Sequence, residues 1–295
     1  MHIPVLQKEV IKYLKPEPNE NFIDCTVGEG GHSLAILEAT APKGKVLGID
    51  QDSEVLKNTK YKIQDTRYKN RLILVCGNFA NLKEIARKFS SVFFSGILLD
   101  LGICSWHFEE SGRGFSFLKN EPLDMRYNSE NPLTAEKILN FWSESEIEKI
   151  LREFGEERFS KNIAKEIVRA RKEAAVKTTF QLIKIIERAI PGQYKREKKH
   201  FATRTFQTLR IAVNKELSNL ENVLPQALEI LKPGGRLVVI SFHSLEDKIV
   251  KNFFREKAKE NLINILAKKP IRPSQEEIKI NFSSRSSRLR AAIKI

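Results

Sequence analysis

The sequence predicts an α/β protein: a largely parallel sheet, interrupted by an inserted all-helical domain. Three observations carry this reading. Four apolar runs end at Asp24, Asp50, Cys76 and Asp100, and between them lie helical patterns at residues 33–40, 53–61 and 79–89. Such alternation means parallel strands joined by crossover helices. From Pro132 to about Ile190 the pattern is purely helical, and then Arg236-Leu-Val-Val-Ile-Ser-Phe242 restores strand character. The resumed buried strand favours an insertion over two consecutive domains, because the first four strands otherwise lack their continuation.

Each element has a local reason. Phe22-Ile23 is a short apolar run, followed by the turn Asp24-Cys-Thr-Val-Gly-Glu-Gly-Gly-His32 and the apolar Ser33-Leu-Ala-Ile-Leu37. A strand, a glycine-rich turn and a helix N-terminus make a cofactor-binding corner, since glycines admit a ligand to the backbone and the helix start offers unpaired N–H donors. A second strand, Lys45-Val-Leu-Gly-Ile-Asp50, ends in an acid about 20 residues beyond the turn, the spacing of a carboxylate that grips ribose hydroxyls. The segment Trp106 to Tyr127 is rich in Gly, Phe, Asp and Arg without a clear period and reads as a long ordered loop beside strand ends. Ser143-x-x-Glu146 and Thr178-x-x-Gln181 are capping boxes that open two helices. Pro191-Gly192 stops the second of these, and residues 193–200 form a basic, exposed loop. One long helix is expected over 203–222, with Phe206, Leu209, Val213, Leu217 and Leu220 at helical spacing. Leu231-Lys-Pro-Gly-Gly235 is expected to turn, a helix to follow at 245–259, and segments 263–268 and 288–295 to add two final strands. The expected division is residues 1–114 and 206–295 for the α/β domain and 115–205 for the insert.

With 295 residues and 41% hydrophobic content, the chain can form one large or two modest cores. No apolar run approaches the ~18 residues of a membrane span. The N-terminus lacks the plan of a signal peptide. Cys25, Cys76 and Cys104 cannot all pair and have no zinc spacing, which points to a cytoplasmic protein. The formal charge of +14 favours a polyanionic partner over a merely solubilising surface only if it is concentrated. It is: residues 158–215 hold 16 Lys/Arg against four Glu, and residues 268–295 hold eight Lys/Arg against two Glu.

Several blocks at long range then carry a resemblance. They are His2-Ile-Pro-Val-Leu6, the turn from Asp24 to Ser33, Gly96-Ile-Leu-Leu-Asp-Leu-Gly102, Arg113-Gly-Phe-Ser-Phe117 and Leu123-Asp-Met-Arg126. Later come Thr205-Phe-Gln-Thr-Leu-Arg-Ile-Ala-Val-Asn214, Ser241-Phe-His-Ser-Leu-Glu-Asp247 and the stretch Ser283 to Arg290. In this order and over essentially the whole chain, the sequence resembles the bacterial RsmH (MraW) family of S-adenosylmethionine-dependent methyltransferases of 16S ribosomal RNA. The resemblance implies a class I, Rossmann-like methyltransferase sheet with a helical domain inserted after the fourth strand. It also implies methylation of the exocyclic N4 amine of a cytidine in the decoding region of the small ribosomal subunit.

By that resemblance Gly30, Gly31 and His32 contact the methionine end of the cofactor, Asp50 the ribose diol, Phe79 the adenine face and Asp100 the methionine ammonium. His107 stands where many relatives carry Gln. Considered alone, Phe79 is more often a core residue, the glycines can simply shape a turn, and Asp24 is read as holding that turn. The cytosine amine is a poor nucleophile, so an acceptor on it is expected. Asp100, Ser105 or a backbone carbonyl in the turn after the fourth strand, and His243 in Ser241-Phe-His-Ser244, are the candidates. The target base must leave its stack, and aromatics from Trp106 to Phe117, with Phe242, are candidates to receive it. Arg113, Arg126, Arg204, Arg210, Arg285 and Arg288 are candidates for phosphate contact. No metal is expected. Two other readings fit the glycine corner: a nicotinamide-dependent oxidoreductase, against which the Gly-x-Gly-Gly spacing counts, and a non-catalytic RNA-binding or assembly protein.

Overall fold

The computed structural model describes residues 4–89, 93–196 and 200–295. Residues 2–3 of the first resemblance block and 197–199 of the basic loop lie outside the described residues. The chain divides into two compact units, one formed by Met1–Gly102 with Leu217–Ile295 and the other by Ile103–Glu216. The expected insert, residues 115–205, falls within the second of these units.

The first unit is built on a seven-stranded sheet: β1 (Phe22–Asp24), β2 (Val46–Asp50), β3 (Leu72–Cys76), β4 (Phe94–Asp100), β5 (Leu231–Ser241), β6 (Ile263–Ile265) and β7 (Arg288–Lys294). The strand order is β3-β2-β1-β4-β5-β7-β6. Strands β1 to β5 pair in parallel, while β7 runs antiparallel between β5 and β6. The two-residue period sends alternate side chains to opposite faces. Phe22, Val46, Leu98, Val238 and Ile240 fill one core, with Val10, Leu14, Ile36 and Leu37 from helices Gln7–Leu14 and Gly31–Ala39. Ile23, Leu47, Ile49, Ile97, Leu99, Leu237 and Val239 fill the other, with Leu220, Val223 and Leu224 from helix Glu216–Ile230 and Val250 and Phe254 from helix Ser244–Lys259. Both faces are covered, which is why these strands read as nearly continuous apolar runs.

Two expectations about the chain from Thr203 to Gly235 are corrected. The stretch 231–235 is not a free turn but the start of β5: Leu231 pairs with Phe94, and the ladder resumes at Arg236 opposite Gly96 after a register shift. The expected long helix is two, Thr203–Asn214 and Glu216–Ile230, because Lys215 adopts a left-handed φ of 52° and caps the first through its N–H to the Ile211 carbonyl. Apolar spacing continues across the break, so periodicity alone reads straight through it.

The second unit is helical. Ala135–Phe141, Glu144–Gly155, Ser160–Glu173, Thr179–Ala189 and Thr203–Asn214 enclose a core that includes Ile138, Leu151, Ile163, Leu182, Ile186, Phe206 and Leu209. Both capping boxes form: Ser143 exchanges hydrogen bonds with Glu146, and Thr178 with Gln181. The expected loop from Trp106 begins inside a short helix, Ser105–Glu109. Beyond it the loop is closed by backbone contacts: Leu123 N–H donates to the Lys177 carbonyl and Met125 N–H to that of Arg113. No helix among the described residues is long and apolar enough to cross a membrane.

Candidate active site

In a parallel sheet, the carboxyl ends of adjacent strands share one rim, and ligands bind there. Asp24, Asp50 and Asp100 are the last residues of β1, β2 and β4. The turn after β1 is held from several directions. Asp24 is buried, with Oδ1 accepting from Thr26 N–H (3.2 Å) and Oδ2 from the Ser33 hydroxyl (2.7 Å). Thr26 Oγ1 in turn accepts from Asp100 N–H at 2.7 Å, which ties the ends of β1 and β4 together. Gly28 and Gly30 have φ of 50° and 86°, and Gly30 is the left-handed N-cap of helix Gly31–Ala39 with no side chain capping it. The first-turn N–H groups have no intrahelical acceptor. A side chain at Gly31 would meet Pro4 Cγ at 2.4 Å, so the helix start must approach the chain closely there.

The Asp50 carboxylate is fixed by two backbone donors, Gly28 N–H to Oδ2 and Asp52 N–H to Oδ1, both at 3.0 Å. An ionised carboxylate offers about four acceptor positions, so these bonds are compatible with a diol on the same group. Asp52 begins the next helix, Ser53–Ile63, by accepting from Glu54 N–H. Phe79 opens the short 3₁₀ turn Phe79–Asn81 beyond β3, where Asn78 caps the turn through Ala80 N–H. Phe79 is only partly buried, packed at the margin of the core.

The least satisfied polar groups of this unit meet where β1 and β4 end. His32 Nε2 lies 3.4 Å from Asp100 Oδ2, with the ring only 6% exposed. Within the described residues neither His32 ring nitrogen nor Asp100 Oδ1 has a hydrogen-bond partner. Burial works against the charged imidazolium, but the Asp100 carboxylate and the Asp24 charge outweigh it and raise the His32 pKa. Burial pushes the Asp24 carboxyl up to about 6, against the opposing pull of His32 and the Ser33 hydroxyl. Buried polar atoms without partners are rare, and a ligand is one explanation for them. Here they comprise a carboxylate oxygen and an imidazole beside a helix start and a glycine turn, a donor and acceptor set suited to an amino acid's ammonium and carboxylate.

His243 is the N-cap of helix Ser244–Lys259. Its Nδ1 accepts from Glu246 N–H at 3.4 Å, and its Nε2 faces Glu246 Oε1 at 3.2 Å. Glu246 Oε2 accepts from Phe242 N–H (2.8 Å) and His243 N–H (3.3 Å), completing a capping box built on a histidine. An Nδ1 that accepts leaves the ring proton on Nε2. Phe242 Cδ2 would lie 3.4 Å from a side chain at Gly102 (φ 104°), so Phe242 sits against the turn that follows β4. Arg288 donates to Asp247 Oδ2 (3.1 Å), which with Oδ1 also receives Arg290 (3.2 and 2.7 Å). Arg285 lies over the exposed Phe282 ring, 4.0 Å from its centroid.

The insert places the remaining predicted residues in its own framework. Ser105 opens helix Ser105–Glu109, and His107 is buried, its Nδ1 3.0 Å from Cys104 Sγ and its ring edge-on to Trp106, Phe115 and Tyr127 at 5.0–5.4 Å. Arg113 donates to the carbonyls of Arg126 and Tyr127 and lies over the Trp106 ring. Arg126 pairs bidentately with Asp124 and donates to the Ser129 and Asn131 carbonyls. Arg204 donates to the Glu156 carbonyl, and Arg210 pairs bidentately with Glu216 at 2.8 and 2.9 Å. Asn214 binds Tyr127 N–H, the Met125 carbonyl and the Arg210 carbonyl. The blocks at 113–117, 123–126 and 205–214 therefore meet, and their arginines shape the loop that they share. Sequence reasoning missed Thr26, Ser33, Glu246, Asp247 and Arg290. All lie within quoted blocks; Glu246 closes a local capping box on a histidine rather than on Ser or Thr, whereas Thr26 pairs with Asp100 across 74 residues and Arg290 with Asp247 across 43, which no local pattern announces.

The model of the MraW methylase family matches residues 1–295. The ribosomal RNA small subunit methyltransferase H of Thermotoga neapolitana is 48% identical over 294 residues, covering 99% of this chain and 95% of that protein. The protein of the same name from Heliobacterium mobile is 46% identical, covering 100% and 99%. Among solved structures, an rRNA methylase from Streptococcus thermophilus aligns with a TM-score of 0.46 at 10% identity, covering 98% of this chain and 93% of that one. The full-length match, together with the Rossmann-like α/β sheet, places the chain in the MraW methylase family.

Proposed function

We propose that the protein uses S-adenosylmethionine to methylate the exocyclic N4 amine of a cytidine in the decoding region of 16S ribosomal RNA, as free RNA or within the small subunit, in the cytoplasm. The observation that carries the cofactor assignment is the buried group at the end of β4: Asp100 Oδ1 without a partner and His32 beside it, facing the glycine turn. Asp100 would accept from the cofactor's ammonium, the first-turn N–H groups of Gly31–Ala39 would meet its carboxylate, Asp50 its ribose diol and Phe79 its adenine. Bound there, S-adenosylmethionine supplies an activated methyl group. The names of the two relatives, ribosomal RNA small subunit methyltransferase H, support ribosomal RNA of the small subunit as the substrate.

The task left to the chain is alignment and proton handling. Holding the reactants in line supplies much of the acceleration of a displacement. The cytosine amine needs an acceptor to localise its lone pair and take its proton. Asp100, the carbonyls of the turn after β4, Ser105 and His243 remain the candidates. His243 already uses Nδ1 to cap its helix, which favours the Asp100 end. His107, buried among aromatic rings, and Arg113, Arg126, Arg204, Arg210, Arg285 and Arg288 complete the proposed cofactor and RNA contacts.

Transfer of labelled methyl to unmodified small subunits, followed by nucleoside analysis, tests the reading. Label on a cytosine amine is expected; its absence overturns the proposal. Calorimetry that found tight binding of NAD and none of S-adenosylmethionine would instead favour an oxidoreductase.

A further inference from the structure

A cavity of about 270 Å³ opens at the sheet edge formed by β6 and β7, under helix Ser244–Lys259. Its apolar floor includes the buried Phe254 and the half-buried Ile265. Its other walls are cationic: Lys251 and Arg255 from the helix, Lys268 from the chain after β6, and Arg290 from β7. Lys251 and Arg255, four residues apart, lie on one helix face about 6 Å apart along the axis. Among the described residues, Lys251, Arg255 and Lys268 have no ion pair or side-chain hydrogen bond. Arg290 and its neighbour Arg288 share the single carboxylate of Asp247. Five cations thus stand against one acid, and three of them face solvent uncompensated.

The position matters as much as the charge. Arg290 pairs in register with Val239, and two residues further β5 ends at Ser241, one past the residue opposite Asp100. Two strand residues span about 7 Å, so the cavity flanks the rim where the methyl acceptor is proposed to enter. An apolar floor beside point charges is suited to a sugar–phosphate chain, which presents anionic oxygens and an apolar ribose face together.

Resting on the RNA methyltransferase reading, we propose that this cavity binds the phosphodiester backbone of the RNA strand flanking the target nucleotide, with Lys251, Arg255 and Lys268 as its phosphate contacts. Each contact with a single strand contributes about 0.7 to the slope of log affinity against log salt. Between 50 and 200 mM salt, each contact removed should therefore shrink the fall in affinity by about 3-fold. The test uses the full chain, with K251A, R255A and K268A alone and combined, binding a fluorescent single-stranded RNA across that salt range. Calorimetric titration with S-adenosylmethionine checks that each variant keeps an intact cofactor site. The expected result is a slope lowered by about 0.7 per substitution and by about 2 in the triple variant, with cofactor affinity unchanged.

A triple variant with wild-type affinity and slope overturns the proposal. Inorganic phosphate is the other source of the same chemistry: saturable binding of phosphate alone, lost in the triple variant without any change in RNA binding, also overturns it. The two readings separate cleanly. A wild-type protein that transfers no methyl, yet loses RNA affinity and slope in the variants, keeps the cavity and sinks the methyltransferase proposal. Methyl transfer with unchanged salt dependence does the reverse.

Discussion

Replacing Asp50 with alanine tests the cofactor site at its most defined point. The carboxylate accepts Gly28 N–H and Asp52 N–H at 3.0 Å each and is proposed to accept two ribose hydroxyls as well. Hydrogen bonds to a charged group contribute about 1.5–3 kcal/mol each. Losing both ribose contacts should therefore cost about 3–6 kcal/mol of binding, or roughly 10²- to 10⁴-fold in Kd. The two abandoned N–H groups should separately lower stability by about 1–3 kcal/mol, because a half-buried donor without a partner keeps its desolvation cost. Asp50→Asn retains one acceptor oxygen and should fall between wild type and alanine in both measurements. Calorimetric titration with S-adenosylmethionine gives the first quantity, and urea unfolding of the free protein gives the second. An Asp50→Ala protein that is folded and binds the cofactor within about threefold of wild type would refute the ribose assignment, since that factor is under 1 kcal/mol.

Three further outcomes follow from the geometry. Gly114 has a φ of 74°, and a methyl there would lie 2.2 Å from the Pro122 carbonyl oxygen; Gly114→Ala should destabilise the insert by at least about 2 kcal/mol in urea unfolding, and a smaller loss would mean that the loop yields. Asn214→Ala strands the Tyr127 N–H and the Met125 carbonyl, both held at 2.7–2.8 Å; a loss of about 3 kcal/mol is expected by the same measurement, with neutrality as the contrary result. Burial raises Asp24 from 3.8 to about 6. Its contribution is therefore fully present below about pH 3 and is lost as pH rises through 6, by about 3 kcal/mol. The stability of wild type relative to Asp24→Asn should fall by about that amount between pH 3 and 7, and a flat difference would contradict the burial argument.

Strands β1, β2 and β4 were legible because their residues are almost all buried and each ends in an aspartate at one rim, and the edge strand β3 because it is a continuous apolar run. Asp24, Asp50 and Asp100 therefore punctuate the sequence where they punctuate the sheet. The capping boxes at Ser143 and Thr178 were equally plain, being contained within four residues. What escaped was non-local or conformational. Lys215 breaks a helix through a left-handed φ that its residue type does not advertise. Leu231 joins β5 because Phe94 is there to pair with it, despite the Pro-Gly-Gly that follows. In the candidate site, glycines and acids were visible as a spaced motif, whereas the His32–Asp100 pair, with Asp100 Oδ1 left without a hydrogen bond, depends on two strand ends being brought together. The arginines were chosen by charge, and the structure gives each a protein partner; charge in a sequence does not distinguish a guanidinium that clamps a loop from one that waits for a phosphate.

The antiparallel strand β7 lies between β5 and β6, although it follows both in the chain. During synthesis, β4 is complete long before its neighbour β5 exists, because the whole insert is made in between. At about 5–20 residues per second, β4 waits roughly 7–26 s with an open edge. Open edges recruit foreign strands, whereas the insert's core draws only on residues of its own continuous segment and needs none of the sheet. A nascent chain that has reached Lys269 carries β6 with no strand beside it, and the gap closes only when residues 288–294 arrive. Topology thus sets when each edge can close: β5 cannot cover β4 until the insert has been made, and β6 cannot join the sheet until β7 arrives. A ribosome that stalls before Arg288 would leave a chain whose sheet is still open along β5.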